Sequence, residues 1–531
     1  MMEELSLPSQ ITIKAKFLAG LVARKDLSRR LAQEHLLPTY VTEPILARRL
    51  AAKAPEGKPN SWNTDSEDDP YEGQAAEEAL SETFQLLSEE AATPGDEEII
   101  GLRARQEGFA RVIGHIEARH DARSDSYLAE LSPLDLGPMP IDSGLVQRYH
   151  GLLMEGFYAR VEIEPEASGP GKYRVGALDP IQRSGVDGAS EEKLVNWVGL
   201  SRSGFRHTGW AYFLFQSLGL DPFTLSEEAL EAILLRLVPF VVKNYNLIEL
   251  GPRGTGKSHL YGQVTPRAHV LSSGKATAAQ LFVHSGTGEP GLVTTREVVC
   301  FDEVAEVSFR DRNGITALRG YMESGQFGRG KRERRGEASL VFLGNLPPTA
   351  VEQFAGETEE GHLLRPLPAK LQNDTAFMAR LHAFVPGWHV PKIGPEHLTD
   401  GLGLTYGTLA DLFSQLRERS RIEEFKDRVE LSDALNGRDR QAVWKTIDGL
   451  MKLLLPDSGM ALTYPVEYVV DLALRPRRRV KEQQRQVRPE EYGDTAFRYR
   501  VDGEGEMKEA VPAELEPSRS GSSGSEMVSP G

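Results

Sequence analysis

Eight consecutive residues near the middle of the chain have the types and spacing that bind a chain of phosphates. The pattern G-x-x-x-x-G-K-[ST] is met by Gly251, Pro252, Arg253, Gly254, Thr255, Gly256, Lys257 and Ser258. In this pattern the glycines let backbone N–H groups turn towards the phosphates, the lysine reaches the β- and γ-phosphates, and the serine hydroxyl can ligate Mg²⁺. The sequence therefore predicts a site for ATP with Mg²⁺.

Two adjacent carboxylates follow an apolar run further along the chain. Residues 297–303 read E-V-V-C-F-D-E, which is typical of a buried strand that ends in two acids. We expect Asp302 to join Ser258 in the Mg²⁺ shell and Glu303 to polarise an attacking water as a general base. An exposed acidic turn is the alternative, and the upstream phosphate loop makes it the weaker one.

A third strand is predicted over residues 338–344 (ASLVFLG), and Asn345 stands at its end. A polar residue at this point can align the attacking water or sense the γ-phosphate, although asparagine is also common in turns. The order of loop, acid pair and strand-end asparagine is that of the additional-strand, AAA+ type of P-loop ATPase. This type implies a ring of subunits with the active site between neighbours.

Such a site needs arginines that bring positive charge to the transition state. Arg380 lies in DTAFMARLH (residues 374–382), where a helix is predicted, and is our candidate for the arginine supplied by a neighbour. A surface arginine is the alternative. Arg438 begins a long predicted helix and is the candidate for a second arginine, supplied in cis by a helical lid. Arg440 is the alternative for this second position.

A glycine-bracketed run between the acid pair and Asn345 is rich in cations. Gly325 and Gly336 enclose five of them, which are Arg329, Lys331, Arg332, Arg334 and Arg335. An insertion at this point of a ring ATPase would face the central pore, where its cations would suit the phosphates of double-stranded DNA. A solvated charged loop is the alternative reading.

The elements that must position these residues define the predicted fold. We expect a strand over 247–250 before the phosphate loop, a helix over 226–242 capped by Ser226, and a helix over 313–324 before the basic insertion. Together they predict an α/β P-loop AAA+ ATPase core with a helical lid, preceded by an α+β N-terminal domain.

Changes in composition set the predicted boundaries. Residues 1–190 form the N-terminal domain, which we expect to bind DNA, with an acidic, linker-like insertion at 55–98 that includes one amphipathic helix. Residues 191–395 form the ATPase core and residues 396–475 the lid. Residues 476–531 are predicted to be a basic segment followed by a disordered tail, because apolar residues become scarce there.

Charge and composition limit the classes of function. The chain has 531 residues with 62 Lys and Arg against 78 Asp and Glu, a net charge of −16. This balance argues against a protein that coats nucleic acid with its whole surface, but it permits a local basic channel. The one cysteine, Cys300, excludes an internal disulfide. No apolar run approaches the roughly 20 residues of a membrane helix, so we expect a soluble, cytoplasmic protein without a membrane partner.

Several uncommon runs resemble the BrxL family, the Lon-related AAA+ proteins of BREX phage-defence systems. The similar runs are NYNLIELGPRGTGKS (244–258), VCFDEV (299–304), YMESGQFGRG (321–330), DTAFMARLHAFVPGW (374–388) and residues 436–454. The stretches VARKDL (22–27) and LPTYV (37–41) are similar too. The resemblance covers roughly residues 16–500 and is strongest over 240–455.

The resemblance implies properties that spacing alone does not. Members of the family bind DNA, form hexameric rings that can pair into double rings, work with other BREX defence proteins, and resemble the MCM replicative helicases in their core. The P-loop residues, Asp302, Glu303, Asn345 and Arg380 all lie in matching motifs. Full-length members continue into a Lon-type domain, for which the last residues here leave no room, so we do not expect peptidase activity.

Three functions remain open at this point. The leading one is a ring-forming ATPase that translocates on DNA or clamps it during phage defence. The second is an ATP-dependent protein unfoldase, although the segment 274–282 (GKATAAQLF) offers only Phe282 as an aromatic pore residue. The third is a DNA-binding scaffold that nucleotide merely locks, which Glu303 argues against because a lock needs no general base.

Overall fold

The structure is a computed structural model, and its description is confined to part of the chain. It describes Ala15, Leu18 and residues 20–35, 37–53, 70–121, 125–166, 173–181, 207–272, 278–283, 291–306, 312–329, 332–346, 363–456, 466–503 and 505–512. Lys331 of the basic insertion and most of the predicted tail lie outside these ranges. Arg329 and Arg332 lie inside them, but only their backbone is described.

A five-stranded parallel sheet forms the centre of the ATPase part. From one edge to the other its strands are Ala383–Pro386, Asn246–Gly251, Ser339–Asn345, Val298–Phe301 and Ala268–Leu271. The three central strands are buried and almost wholly apolar, as expected of a parallel sheet covered on both faces. All five carboxyl ends therefore meet at one edge of the sheet, and the amino ends meet at the opposite edge.

Within the described ranges eight helices surround this sheet, and two of them lie within a residue or so of the predicted ranges 226–242 and 313–324. The eight helices are His207–Ser217, Glu227–Val241, Lys257–Gln263, Ala278–Leu281, Leu292–Thr295, Arg312–Ser324, Ala369–Gln372 and Thr375–Met378. Ser226 caps the second of them as predicted, since its hydroxyl accepts a hydrogen bond from the Ala229 amide at 3.3 Å. The basic insertion is a hairpin of two antiparallel strands, Gln326–Arg329 and Arg332–Arg335.

One helix prediction at this sheet is wrong. Arg380 does not lie on a helix, because the helix ends at Met378 and the chain turns before the edge strand Ala383–Pro386. The His382 amide already donates to the Asn246 carbonyl at 2.8 Å, which aligns the chain for sheet pairing. Arg380 therefore projects from a tight turn between a short helix and a strand.

The C-terminal part is helical, with one small sheet. Its helices are Tyr406–Arg417, Ile422–Phe425, Gly437–Leu454 and Val466–Val487, and its three strands are Val429–Leu431, Arg498–Val501 and Lys508–Glu509. The predicted boundary at 476 is wrong, because that residue lies inside the last helix. Arg477 on this helix is 1% exposed and pairs with Asp439 at 2.7 Å, so the basic run belongs to the core. Across the described ranges, no helix combines the length and apolarity needed to cross a bilayer.

The N-terminal part contains its own sheet and core. Five antiparallel strands lie in the order Met139–Pro140, Ser126–Ser132, Ala110–Asp121, Phe157–Pro165 and Tyr173–Pro180. Two helices pack on them, Glu97–Glu107 and Ser143–Glu155. The first of these helices ends at Glu107, three residues before the strand Ala110–Asp121 begins.

The first segments of the chain pack against the ATPase part as well as against this sheet. A short strand, Val22–Arg24, pairs with Leu402–Leu404, and a buried ion pair of 2.9 Å joins Lys25 to Glu43. The helices that follow are Lys25–Glu34, Thr39–Ala52 and Gly73–Glu90. The last is the predicted acidic helix, and its apolar face is buried as expected. The start of the chain thus shares a core with the ATPase part, which the prediction of a single domain over 1–190 missed.

Candidate active site

The predicted phosphate loop joins a buried strand to a helix. The strand Asn246–Gly251 ends where the loop begins, and the helix Lys257–Gln263 starts at its lysine. Gly254 and Gly256 have φ values of +82° and +75°, a backbone conformation that side chains disfavour. These glycines let the loop curl back on itself, which is what a phosphate cradle requires.

The Lys257 ammonium lies inside the curl of the loop. Its side chain is largely buried, and Nζ donates to the carbonyl oxygens of Pro252 at 2.6 Å and Gly251 at 3.2 Å. Burial lowers the pKa of Lys257, while the nearby carboxylates Glu249 and Asp302 act to raise it. A buried cation held only by neutral oxygens of its own loop fits an anionic, phosphate-bearing ligand.

A buried ion pair under the loop was missed by the sequence reasoning. Arg236 donates to both carboxylate oxygens of Glu249, at 2.8 and 2.6 Å, and to the carbonyl of Thr255 within the loop at 2.9 Å. Glu249 lies in the loop's strand, so this arginine ties the top of the loop to the sheet. The sequence did contain a signal for this pair, since Glu249 and Arg236 each lie within an apolar run, LIEL and EAILLRL. Buried charges are almost always paired, so each of these residues indicated a partner of opposite charge.

This ion pair supports a prediction that separates stability from binding. Arg236→Met is expected to destabilise the protein by about 3–5 kcal/mol, because it leaves Glu249 buried and unpaired. Adding Glu249→Met should restore most of the lost stability but leave nucleotide affinity roughly tenfold weaker, since Thr255 still lacks its charged hydrogen-bond donor. Thermal unfolding and nucleotide titration of both variants test this. Wild-type affinity in the double variant would mean that the pair only stabilises the fold.

The acid pair lies at the same edge of the sheet as the loop. Asp302 and Glu303 follow the strand Val298–Phe301 directly and are half-buried. Glu303 has a φ of +53°, which is rare for any residue except glycine, and its amide donates to the Asp302 carboxylate at 3.0 Å. Backbone conformations of this kind concentrate at functional sites.

Asn345 lies between the loop and the acid pair. It is the register partner of Gly251, and the next amide, of Leu346, donates to the Gly251 carbonyl at 3.0 Å. Its strand pairs on the other side with the strand that precedes Asp302. The three features that the sequence predicted to meet are therefore on adjacent strands at one edge.

The protein oxygens at this edge suit a magnesium ion that is shared with phosphates. Ser258 and Asp302 are the two predicted ligands, and nowhere in the described ranges do three or more His, Cys, Asp or Glu side chains form a metal-binding group. Mg²⁺ commonly takes only one or two protein ligands and completes its octahedron with water and substrate phosphates. The residues thus fit a nucleotide-bound metal better than a metal held by protein alone.

The two predicted arginines lie at the opposite edge of the sheet. The Arg380 carbonyl accepts from the side chain of Asn246, the first residue of the loop's strand, at 2.9 Å. That residue is separated from Gly251 by the length of the strand, about 16 Å at 3.3 Å per residue. Arg438 lies beside Arg380, since both guanidinium groups pair with Glu323, at 2.8 and 2.7 Å.

This geometry corrects the expected cis role of Arg438. In its own chain the guanidinium shares the Glu323 carboxylate with Arg380, which lies at the amino edge of the sheet. Arg440, the alternative, donates instead to the carbonyls of Ser432 at 2.9 Å and Leu435 at 3.1 Å, contacts that brace the start of its helix. Sequence order could not show this arrangement, because it depends on contacts between segments that are far apart in the chain.

The basic hairpin is fixed to the sheet at its base. Phe327 is buried against Phe282, with ring centroids 5.2 Å apart, and the Asn244 side chain donates to the Gly336 carbonyl at 3.0 Å. Arg334 and Arg335, on the returning strand, are exposed. The hairpin therefore presents cations from a base that is joined to the start of the phosphate-loop strand.

The parallel sheet, the glycine–lysine loop and the strand-end carboxylates together define an ATPase domain. Residues 173–498 match the family model "Lon-like protease BrxL-like, ATPase domain", and residues 16–164 match "BREX system Lon protease-like protein BrxL N-terminal". The chain belongs to the BrxL family, which confirms the resemblance seen in its motifs.

Two relatives extend this likeness over nearly the whole chain. "Lon-like protease BrxL" of Bacillus cereus (strain H3081.97) is 35% identical over 505 residues, which cover 94% of this chain and 70% of that protein. The protein of the same name from Escherichia coli O9:H4 (strain HS) is 34% identical over 489 residues, covering 92% and 66%. The chain thus spans about two thirds of the length of these relatives.

Proposed function

We propose that the protein is a ring-forming ATPase of the AAA+ type, which hydrolyses ATP between its subunits and uses the cycle to translocate on DNA or clamp it in BREX-type phage defence. One observation carries the proposal. The phosphate loop and the acid pair lie at one edge of the sheet, and Arg380 and Arg438 lie at the other. A single chain therefore holds two halves of a site, and a neighbour in a closed ring, which we take to be a hexamer, would join them.

Each half has a defined task in this proposal. Bound Mg²⁺ would draw charge from the phosphates, and Ser258 and Asp302 are the side chains that would hold it. Lys257 binds the β- and γ-phosphates. Glu303 orients a water and takes up its proton, and Asn345 fixes that water against the γ-phosphate. Arg380, from the neighbour, neutralises charge that develops in the transition state.

The hairpin supports DNA as the partner. Arg334 and Arg335 are exposed on a two-stranded hairpin, and cations repeated round a ring would follow a phosphate backbone without reading its sequence. The family likeness adds support through the BREX system named in the matched N-terminal model. The acidic total of the chain is compatible with this, because the binding surface would be confined to the pore.

A protein unfoldase is the second candidate, favoured by the name of the relatives, "Lon-like protease". Unfoldases usually grip their substrates with exposed aromatic residues in the pore. Phe282, the one aromatic residue of the segment considered for this role, is 4% exposed and packs on the hairpin base. This contact makes Phe282 a core residue and weakens the unfoldase reading.

The test is ATP hydrolysis by the purified full chain with and without double-stranded DNA, at two salt concentrations. We expect DNA to stimulate hydrolysis and the stimulation to fall as salt rises, because cations on the protein replace counterions on the DNA. A hydrolysis rate that DNA does not change but that an unfolded protein substrate raises would favour the unfoldase. DNA binding without any hydrolysis would favour a scaffold that nucleotide locks.

A double variant examines the hairpin itself. Arg334→Ala with Arg335→Ala should weaken DNA binding and flatten its salt dependence, by about 0.9 in the slope of log K against log salt for each lost phosphate contact. DNA-independent hydrolysis should not change. Arg428→Ala with Arg500→Ala removes the same charge from the distant three-stranded sheet and is the matched control. Equal losses in both double variants would refute the assignment of the hairpin.

A further inference from the structure

Glu323 connects the two arginines that the proposed site requires. It lies next to the last residue of the helix Arg312–Ser324, and its two carboxylate oxygens take one arginine each. Arg380 Nη2 is 2.7 Å from Oε2, and Arg438 Nη2 is 2.8 Å from Oε1, with Arg438 Nε donating to the same oxygen at 3.1 Å. All three side chains line one cleft, together with His382 and Met322.

The backbones that carry the two arginines are also joined. Arg477 pairs with Asp439, the neighbour of Arg438, at 2.7 Å, and donates to the carbonyls of Ala379 and Leu381 on either side of Arg380. Arg477 and Asp439 are both buried. The arginine turn and the start of the helix Gly437–Leu454 are thus joined by buried contacts. Glu323 is the contact that the two guanidinium groups share, and Arg380 Nη1 also donates to the Ala376 carbonyl at 2.5 Å.

A second ion pair joins the Glu323 helix to the arginine turn. Arg319, one helical turn before Glu323, pairs at 3.1 Å with Asp374, whose side chain caps the short helix before Arg380. In one pair the helix supplies the arginine, and in the other it supplies the glutamate. The end of this helix therefore carries a positive and a negative charge, and each contacts a residue of opposite charge on the segment that contains the turn.

We propose that Glu323 is a positioning residue that holds Arg380 and Arg438 as a single two-arginine unit, which is offered to the nucleotide of the neighbouring subunit. The inference rests on the proposed function, since it requires a site completed in trans. Both arginines then act on the same neighbour, and Glu323 is their counter-ion until phosphate oxygens take its place.

The charges in the cleft explain why a carboxylate is needed there. Arg380 is 18% exposed, burial lowers its pKa, and the positive charges of Arg438 and Arg319 lower it further. Two guanidinium groups this close repel each other, so without a shared anion they would separate. Arg380 Nε is buried and makes no hydrogen bond, so the contact with Glu323 leaves one donor of the guanidinium unused. A phosphate group offers several charged oxygens and can therefore displace a single half-exposed carboxylate.

The test is active-site complementation in mixed full-length rings. Subunits with Lys257→Ala cannot bind nucleotide but can donate arginines, whereas subunits with Arg380→Ala bind nucleotide but cannot complete a neighbour's site. Mixing the two should restore part of the ATP hydrolysis that each lacks alone. Glu323→Gln is then added to one type of subunit or to the other, and the restored activity is compared.

We expect Glu323→Gln to lower the restored activity at least tenfold in the Lys257→Ala subunit, which donates the arginines, and to change it little in the Arg380→Ala subunit. Glu323→Asp, which keeps the charge, should recover part of the loss. The proposal would be overturned if Glu323→Gln lowered the restored hydrolysis equally in both types of subunit, or only in the subunit that binds nucleotide. If mixing restores no activity even without Glu323→Gln, then the trans site itself fails, and the proposed function fails with it.

The chain offers a matched control for the charge removed. Glu509 also bridges two arginines, Arg478 at 2.9 Å and Arg498 at 3.3 Å, and it is 34% exposed against 38% for Glu323. It lies on the small C-terminal sheet, and neither Glu509 nor its two arginines line the cleft. Glu509→Gln should leave the restored activity unchanged in either type of subunit, and a loss equal to that of Glu323→Gln would attribute the effect to general destabilisation.

Discussion

Glu303→Gln is expected to bind ATP with wild-type affinity and to hydrolyse it about 10²–10⁴ times more slowly, the usual contribution of a general base. Glutamine keeps the size of the side chain and its polar atoms but cannot accept a proton from water. The unusual φ of +53° at this position remains available to it, because the Asp302 carboxylate still accepts the amide hydrogen bond that stabilises the turn. Nucleotide titration and phosphate release on the same preparation separate the two effects.

Two further variants make this result specific. Lys257→Ala should abolish nucleotide binding, because the loop loses the cation that is buried within its curl. Glu297→Gln changes a glutamate at the start of the Asp302 strand, where its carboxylate accepts from Ser414 at 2.6 Å, and should leave turnover unchanged. Normal turnover by Glu303→Gln would remove Glu303 from the mechanism and reopen the nucleotide-locked scaffold.

The half of the site that contains the phosphate loop and the acid pair could be predicted from the sequence, because short local motifs encode it. A glycine–lysine loop between an apolar strand and a helix has few structural solutions, and acids that end a buried strand must lie at a sheet edge. Asn345 could be added because the carboxyl ends of parallel strands share that edge. The structure has each of these where the patterns indicated, with Asn345 in register with Gly251.

The other half could not be predicted, because it depends on contacts between distant segments. Arg438 was expected in cis from the position of its helix in the chain, but its direction is set by Glu323, more than a hundred residues earlier. Residues from 476 on were predicted to be a separate basic segment because apolar residues become scarce there. The partners that bury this run, such as Asp439 for Arg477, are remote in sequence. The docking of Val22–Arg24 on Leu402–Leu404 has the same origin. The composition of a segment shows how many charged residues it contains, but only the tertiary structure shows which of them are paired.

Arg380→Ala is expected to lower turnover about 10³-fold or more while leaving nucleotide affinity within a fewfold of wild type, as for other arginines that act on a transferring phosphoryl group from a neighbour. The reason is the separation within one chain. Arg380 contacts the amino end of the loop's strand, so its removal does not disturb the phosphate cradle at the carboxyl end. Arg380→Lys should not restore turnover, since an ammonium lacks the planar fork with which a guanidinium binds two phosphate oxygens at once.

Arg438 and Arg440 provide the comparison that decides which lid arginine takes part. They are two residues apart on one helix and both are partly exposed, yet Arg438 pairs with Glu323 and Arg440 binds Asp433 and neighbouring carbonyls. Arg438→Ala should lower turnover in the same direction as Arg380→Ala, whereas Arg440→Ala should lower only the unfolding temperature. Steady-state hydrolysis and thermal unfolding of the pair measure both quantities. A turnover loss confined to Arg440→Ala would assign the second arginine to the other position and break the link between Glu323 and catalysis.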